Sequence, residues 1–369
     1  MTAPIEPKAD LPALTGMRGI AAWFVVLYHI RTGAASQLPD WLIAIFAKGY
    51  LAVDLFFMLS GFVLWLNYGE RLRRDGIGAA PQFLARRIAR IWPLHAFILA
   101  VAVTFASALY LSGRANPAQY PWGELPLHIL LAQNWGFTDR LSWNDPAWSI
   151  SCEFAAYLVF PFLALSCDWR RFSSAALIAI VVLLGLALHA IMAAGGASTL
   201  GADITRFGLI RALAEFSIGT ILCALWSRWR DMPRLPLLAS LAVVPCLAIA
   251  AISGRIPETL AVPPLFAALL LAVALTASSP ANPLGSRPIH YLGEISYATY
   301  LVHFLLYVLF NLLLVDDPKF VPLGLLALFL LLTFGASVLL HHGIERPAQR
   351  VLNRAWRPAA PFLAGRPAS

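Results

Sequence analysis

Charge is scarce in this chain of 369 residues: Asp, Glu, Lys and Arg together make 12% of it, against 60% hydrophobic residues. A soluble domain carries about twice that charged share, so the balance excludes one. Cysteine is scarce too. Cys152, Cys167, Cys223 and Cys246 are widely spaced and lie mainly in apolar runs, which excludes a disulfide framework and a metal-ligand spacing alike. Free thiols acting as small core residues are expected instead. No CxxC, HExxH or glycine-rich phosphate loop occurs, so metal chemistry and nucleotide hydrolysis have no sequence basis and no metal or bound cofactor is expected.

Long apolar runs are abundant. About ten of them, centred near residues 22, 58, 102, 155, 183, 217, 243, 269, 303 and 331, are long enough to cross a hydrocarbon core of about 30 Å. The expected fold is therefore an all-α, polytopic transmembrane bundle forming one domain over 1–369, with a core of about 12–350 and a short basic tail over 351–369. The formal charge of +8 does not point to nucleic acid, because alternate connections collect it: 18 of the 27 Lys and Arg fall on one side, among them Arg71, Arg73, Arg86, Arg87, Arg90, Arg170 and Arg228. By the positive-inside rule both termini are cytoplasmic, as an even number of spans requires. A cleaved leader is disfavoured, since Glu6 and Asp10 precede the first run. Trp41, Trp65, Trp92, Trp148, Trp169 and Trp226 fall near the ends of runs, where an interfacial aromatic belt is expected. Between residues 113 and 146, LPLHILLAQNW is apolar but too short to span, and reads as an interfacial or re-entrant segment shaping a pocket.

Ionisable groups inside the runs are the functional candidates, because burying them in lipid is costly. Arg18 and His29 are eleven residues apart in the first run, which returns them to within about 20° of one helix face, about 16 Å apart along the axis. His29 has no charge partner on its own helix. Asp54, followed by Ser60, Gly61 and Phe62, needs a cation, and Arg18, Arg211 or a protonated His29 are the available types. Ser60 and Gly61 serve equally well as a close helix contact. In FLARRIARIWPLH, Arg86 and Arg90 are four apart and Arg87 and Arg90 three apart, a cluster suited either to phosphate forks or to anionic lipid. Ser149 and Glu153, after Trp148, share a face of the fourth helix. Arg211 has Glu215 one turn on, so a local ion pair is expected there. Ser296, Tyr300 and His303 offer a polar wall in the ninth run, and His341 and His342 sit at a membrane boundary.

An Arg, ten intervening residues and a His within LTGMRGIAAWFVVLYH resembles the opening of the membrane-bound acyltransferase 3 family. FFMLSGF, the basic entry FLARRIARIW, WSISCE, RALAEFSIG, ISYATYLVH and GIERP resemble that family's later segments, in order, from Leu14 to about Arg350. The resemblance implies a multi-pass O-acyltransferase of the bacterial inner membrane. Such an enzyme passes an acyl group, most often acetyl, from cytoplasmic acyl-coenzyme A as co-substrate to a hydroxyl of a carbohydrate or glycolipid acceptor. It implies His29, with Glu153 and Asp54, as catalytic groups. Arg18, Arg86, Arg87, Arg90, Ser60, Trp148, Ser149, Arg211, Tyr300 and His303 are then substrate-binding residues. A proton-coupled transporter, or a relative without catalysis, is the alternative on the same buried charges.

Overall fold

The computed structural model describes residues 11–356. Ten helices in it are long and apolar enough to cross a membrane, and no strand occurs among the described residues. Their main α-helical stretches are α1 (Pro12–Ala34), α2 (Ala52–Leu64, within the span Asp40–Asp75), α3 (Ala80–Leu111), α4 (Ala147–Ser166), α5 (Ser174–Ala194), α6 (Ile204–Trp229), α7 (Arg234–Ile252), α8 (Glu258–Leu275), α9 (Arg287–Leu314) and α10 (Leu323–Leu340, within the span Leu323–Ala355). In hydrocarbon every backbone N–H and C=O must find its partner within the segment, which makes the helix the one conformation available to each apolar run. Their starts are marked by rigid or capping residues: Pro12 at the first turn of α1, Pro146, Pro257 and Pro322 at N-caps, and Ser173 Oγ accepting from Ala176 N–H at 3.2 Å. Connections can be short because neighbouring helices run antiparallel. The face at which α1 begins is the near face and the opposite one the far face.

Burial ranks the helices from centre to rim. The apolar window of α6 is 72% buried and that of α7 only 6%, so α6 is the central post while α7 lies at the rim, packed along α8. Two crossings at glycine fix the centre. A Cβ on Gly61 of α2 would stand 1.9 Å from the Phe216 carbonyl oxygen of α6, and one on Gly219 would stand 1.9 Å from that of Met58. The two backbones touch, in the way small residues allow membrane helices to approach. A Cβ on Gly293 of α9 would likewise lie 1.8 Å from the Thr15 carbonyl of α1. These crossings hold α1, α2, α6 and α9 around one polar interior.

Two π-helical turns interrupt the regular pattern at the near face, at Trp65–Gly69 after α2 and at His341–Glu345 after α10. The second leads into α11 (Arg346–Ala355), which packs along α3. The basic tail expected from residue 351 is thus helical as far as Ala355. The rest of it, with Lys8, Glu6 and Asp10 at the other end, lies outside the described residues. His341 is not a bystander at the boundary: it is buried, with Nδ1 3.0 Å from Glu345 Oε2.

The tryptophans divide. Trp41, near the start of a short helix, and Trp92, within α3, are exposed, but Trp65, Trp148, Trp169 and Trp226 are buried. Their indole N–H groups explain part of this, since Trp169 donates to Thr220 Oγ1 at 3.1 Å and Trp226 to the Ala274 carbonyl at 3.0 Å, tying helix ends together. Of the cysteines, Cys152 and Cys223 are core residues, whereas Cys246 is exposed on the peripheral α7.

The far-face connection between α3 and α4 holds a short helix, Leu125–Ile129, and then folds back under the bundle. His128 lies 2.9 Å from Ser142 Oγ, His95 Nε2 of α3 lies 2.8 Å from the His128 carbonyl, and Trp143 donates to the Pro121 carbonyl at 3.3 Å. The apolar LPLHILLAQNW is therefore clamped against the helices, and its continuation delivers Asp145 and Pro146 to the wall of a cavity.

Candidate active site

Two cavities lie end to end along the bundle interior, and Val53 and Tyr300 line both. The near-face cavity, of about 150 Å³, is bordered by Arg18, Arg87 and Arg90, with Glu153 its one lining acid. Arg18 is built in from α9: its Nη2 donates to the Gly293 carbonyl at 2.7 Å and its Nε to Ser296 Oγ at 3.0 Å. Neither partner is charged. Among the described residues Arg18 and Arg87 make no ion pair, while Arg90 is paired with the buried Glu345. Arg87 Nη2 donates to Tyr68 Oη at 3.2 Å and its guanidinium lies 5.2 Å from the centre of that ring. Glu153 accepts from Ser60 Oγ at 2.8 Å and from Tyr157 Oη at 2.6 Å. Two neutral donors thus hold one carboxylate in a chamber with an excess of guanidinium charge, an arrangement suited to an anion with a narrow neutral extension.

Arg86 does not join this cavity. It borders a separate small recess with Tyr68, Arg71 and Gln82. Helix geometry gives the reason: from Arg90, Arg87 and Ile91 lie about 60° and 100° to one side, and Arg86 about 40° to the other.

The far-face cavity, of about 430 Å³, contains His29, Tyr28, Tyr50, Asp145, Trp148 and Phe304. His29 Nδ1 lies 2.9 Å from the Val25 carbonyl and 3.2 Å from His303 Nε2. His303 Nδ1 lies 3.2 Å from the Thr299 carbonyl. A carbonyl only accepts, so both Nδ1 atoms carry hydrogen, and the single His29 Nδ1–H is shared between the Val25 carbonyl and His303 Nε2, which accepts. That leaves the Nε2 lone pair of His29 as the group without a partner. His303 is fully buried behind His29 and so touches it rather than the cavity. Asp145, on the connection ahead of α4, has its carboxyl pushed above the ordinary range by burial, an effect that Gln119 donating to it at 3.0 Å partly offsets.

Asp54 and Arg211 form the deepest ion pair, with Nε–Oδ1 and Nη2–Oδ2 both at 2.9 Å and both residues at 1% exposure or less. The local Arg211–Glu215 pair expected from spacing is not the one formed. Glu215 is fully buried and neither of its oxygens has a hydrogen-bond partner. The Gly61–Gly219 crossing brings α2 against α6, so Asp54 meets the guanidinium fork in its own plane, which a residue one turn along the same helix cannot do. Trp148 lies under this pair, 5.4 Å from the Arg211 guanidinium to the ring. Asp54 itself lines neither cavity.

Between the cavities, Tyr300 is fixed by donating to the Pro146 carbonyl at 3.1 Å, with Ser149 Oγ 2.7 Å away and Phe56 edge-on at 5.8 Å. Tyr157, Tyr297 and Tyr50 also face the interior, and none was singled out from the sequence. Tyrosines inside apolar runs look like core or belt residues, and only the pairing of helices reveals which hydroxyls are turned inward.

Residues 11–342 match the family described as "Acyltransferase domain". Acyltransferase MdmB of Streptomyces mycarofaciens is 32% identical over 95% of this chain and 94% of its own length. The putative peptidoglycan O-acetyltransferase YrhL of Bacillus subtilis is 26% identical over 91% of this chain, and O-acetyltransferase OatA of Staphylococcus aureus 25% identical over 92%. The chain spans little more than half the length of these last two, 54% and 57%. No solved structure matches. A family match over nearly the whole chain, ten membrane-capable helices and an interior set with Arg, Glu and His together replace the transporter alternative: the chain belongs to the acyltransferase 3 family and is a multi-pass membrane acyltransferase.

Proposed function

We propose that this protein takes an acyl group, acetyl first among them, from acyl-coenzyme A at the cytoplasmic near face and delivers it to a hydroxyl of a cell-envelope glycan at the far face. The observation that carries this reading is the junction of the two cavities at Val53 and Tyr300: an arginine-rich chamber on one side, an imidazole with a free nitrogen on the other. The coenzyme A phosphates meet Arg87 and Arg90, the pantetheine arm runs past Arg18, and the thioester carbonyl reaches the junction. His29 Nε2 takes the proton of the acceptor hydroxyl as its oxygen bonds to the carbonyl carbon. The carbon–sulfur bond then breaks, and the thiolate leaves with a proton from the imidazolium. His303 is the positioning residue, because its Nε2 accepts from His29 Nδ1–H and that bond strengthens as His29 becomes cationic. Two relatives named for O-acetyltransfer, one of them a putative peptidoglycan enzyme, favour an envelope glycan as acceptor.

Orientation is tested by labelling. Cysteines placed at the exposed Asp75 and Asp139 should react with an impermeant maleimide from the cytoplasm only and from outside only, respectively; the reverse pattern would turn the proposed donor path around.

Donor binding is tested with purified protein in lipid nanodiscs, by release of coenzyme A from acetyl-coenzyme A in the presence of native envelope extract. Arg87→Gln removes a charge-assisted contact of about 1.5–3 kcal/mol, so the KM for the thioester should rise about 10–100-fold. Arg86→Gln, which changes a residue outside the chamber, should leave it within about twofold. Equal effects of the two substitutions would return the cluster to a topogenic role.

A further inference from the structure

A third cavity, of about 540 Å³, lies toward the far face between α3 and α9, and the reaction as described does not use it. Its inner wall is apolar: Phe105 and Leu109 from α3, Val308 and Leu312 from α9. Its far-face end is polar, with Asn116, Gln119 and Asp316. Leu312 is 51% exposed although it belongs to a membrane-spanning helix, so this wall continues onto the lipid-facing perimeter.

The groove is joined to the His29 cavity twice. Phe304 lines both, its ring centred 5.4 Å from that of His29. Gln119 lines the groove and donates to Asp145, which lines the His29 cavity. One polar atom in the groove stands alone. Asn311 Oδ1 is buried without a hydrogen-bond partner, and a buried amide oxygen in that state is costly until a donor reaches it.

Taken together, these observations describe a site graded like the membrane around it. Hydrocarbon-compatible residues lie inward, hydrogen-bonding ones toward the interface, and an unmet acceptor awaits a hydroxyl. We propose that the acceptor enters laterally as an amphiphile: a saccharide head carrying a long apolar tail, the tail against Leu109, Val308 and Leu312 and the head turned past Phe304 toward His29. A water-soluble sugar would leave the apolar wall unused, and a glycan polymer held outside the membrane could not reach it. This inference rests on the proposed function and narrows its acceptor to a lipid-linked glycan.

The experiment uses membranes of a producing strain that contain the full chain, given a short pulse of acetyl-coenzyme A labelled in the acetyl group, then extracted with butanol. The expected result is label in the organic phase, released as acetate by mild base and lost with the sugar head on acid hydrolysis. Leu109→Trp and Leu312→Trp, which fill the groove at its wall and at its exposed rim, should each lower that fraction at least tenfold while leaving acetyl-coenzyme A binding unchanged. Two substitutions at different depths guard against a folding defect in either. Label confined to water-soluble or insoluble glycan would overturn the inference and leave the acyltransfer reading standing, as would wild-type organic-phase labelling by both groove variants. Absence of both label and coenzyme A release with the wild-type protein would overturn the acyltransfer reading, and the inference with it.

Discussion

His29→Ala is expected to lower acyl transfer about 10²–10⁴-fold, the contribution of a well-placed general base, with little change in insertion, folding or acyl-coenzyme A binding. The imidazole borders a cavity and its Nε2 makes no contact that the fold depends on, whereas the donor chamber is built from Arg18, Arg87 and Arg90 on the other side of Tyr300. His29→Gln should be almost as inactive, since an amide keeps a hydrogen-bonding shape but takes up no proton near neutrality. His303→Gln is the informative companion. An amide oxygen can still accept from His29 Nδ1–H, so His303→Gln should retain more activity than His303→Ala, and the pH profile of the alanine variant should shift. A stable His29→Ala protein that keeps more than about a tenth of wild-type turnover would remove His29 from the role of base and make Glu153 the next group to test.

Asp54→Ala is expected to be the most destabilising single substitution in the interior, by about 3–5 kcal/mol, because it leaves the Arg211 guanidinium buried and unpaired. Both partners are at 1% exposure or less, so the guanidinium would lose its hydrogen-bonded counter-ion in the protein interior. The measurement is the thermal midpoint of the detergent-solubilised protein, with the double variant Asp54→Leu, Arg211→Met as control. Removing both charges together should recover much of the loss, since a buried pair replaced by apolar groups of similar volume is often neutral. Family resemblance implied a catalytic part for Asp54. An Asp54→Ala protein as stable as wild type but inactive would favour that part over the structural one.

The spans and the Arg18–His29 relation were legible in the sequence because each depends on one helix at a time: hydropathy over about 20 residues, and the angle between two positions on one cylinder. What depends on two helices was not legible. Asp54 had three cations to choose from, and the choice of Arg211 follows from the glycine crossing of α2 and α6, which no local spacing encodes. Trp148 and Trp226 stand at the ends of apolar runs as belt residues do, yet their neighbours cover them. Arg86 and Arg87 are adjacent in sequence and part company by one helical step. His341 was passed over because its partner, Glu345, was read as the close of a motif rather than as the ligand of Arg90.

The π-helical turn at His341–Glu345 makes chain length, as well as side-chain identity, a quantity that can vary at this spot. Such a turn holds one more residue than an α-helical turn of the same rise. The extra residue is taken up inside the turn, so the helices on either side keep their places, and Glu345 at the end of the turn meets Arg90. Removing one of residues 341–344 would close the turn to a regular helical one and leave α11 in place along α3. Kinship along this stretch should therefore be recorded in single-residue gaps as much as in substitutions.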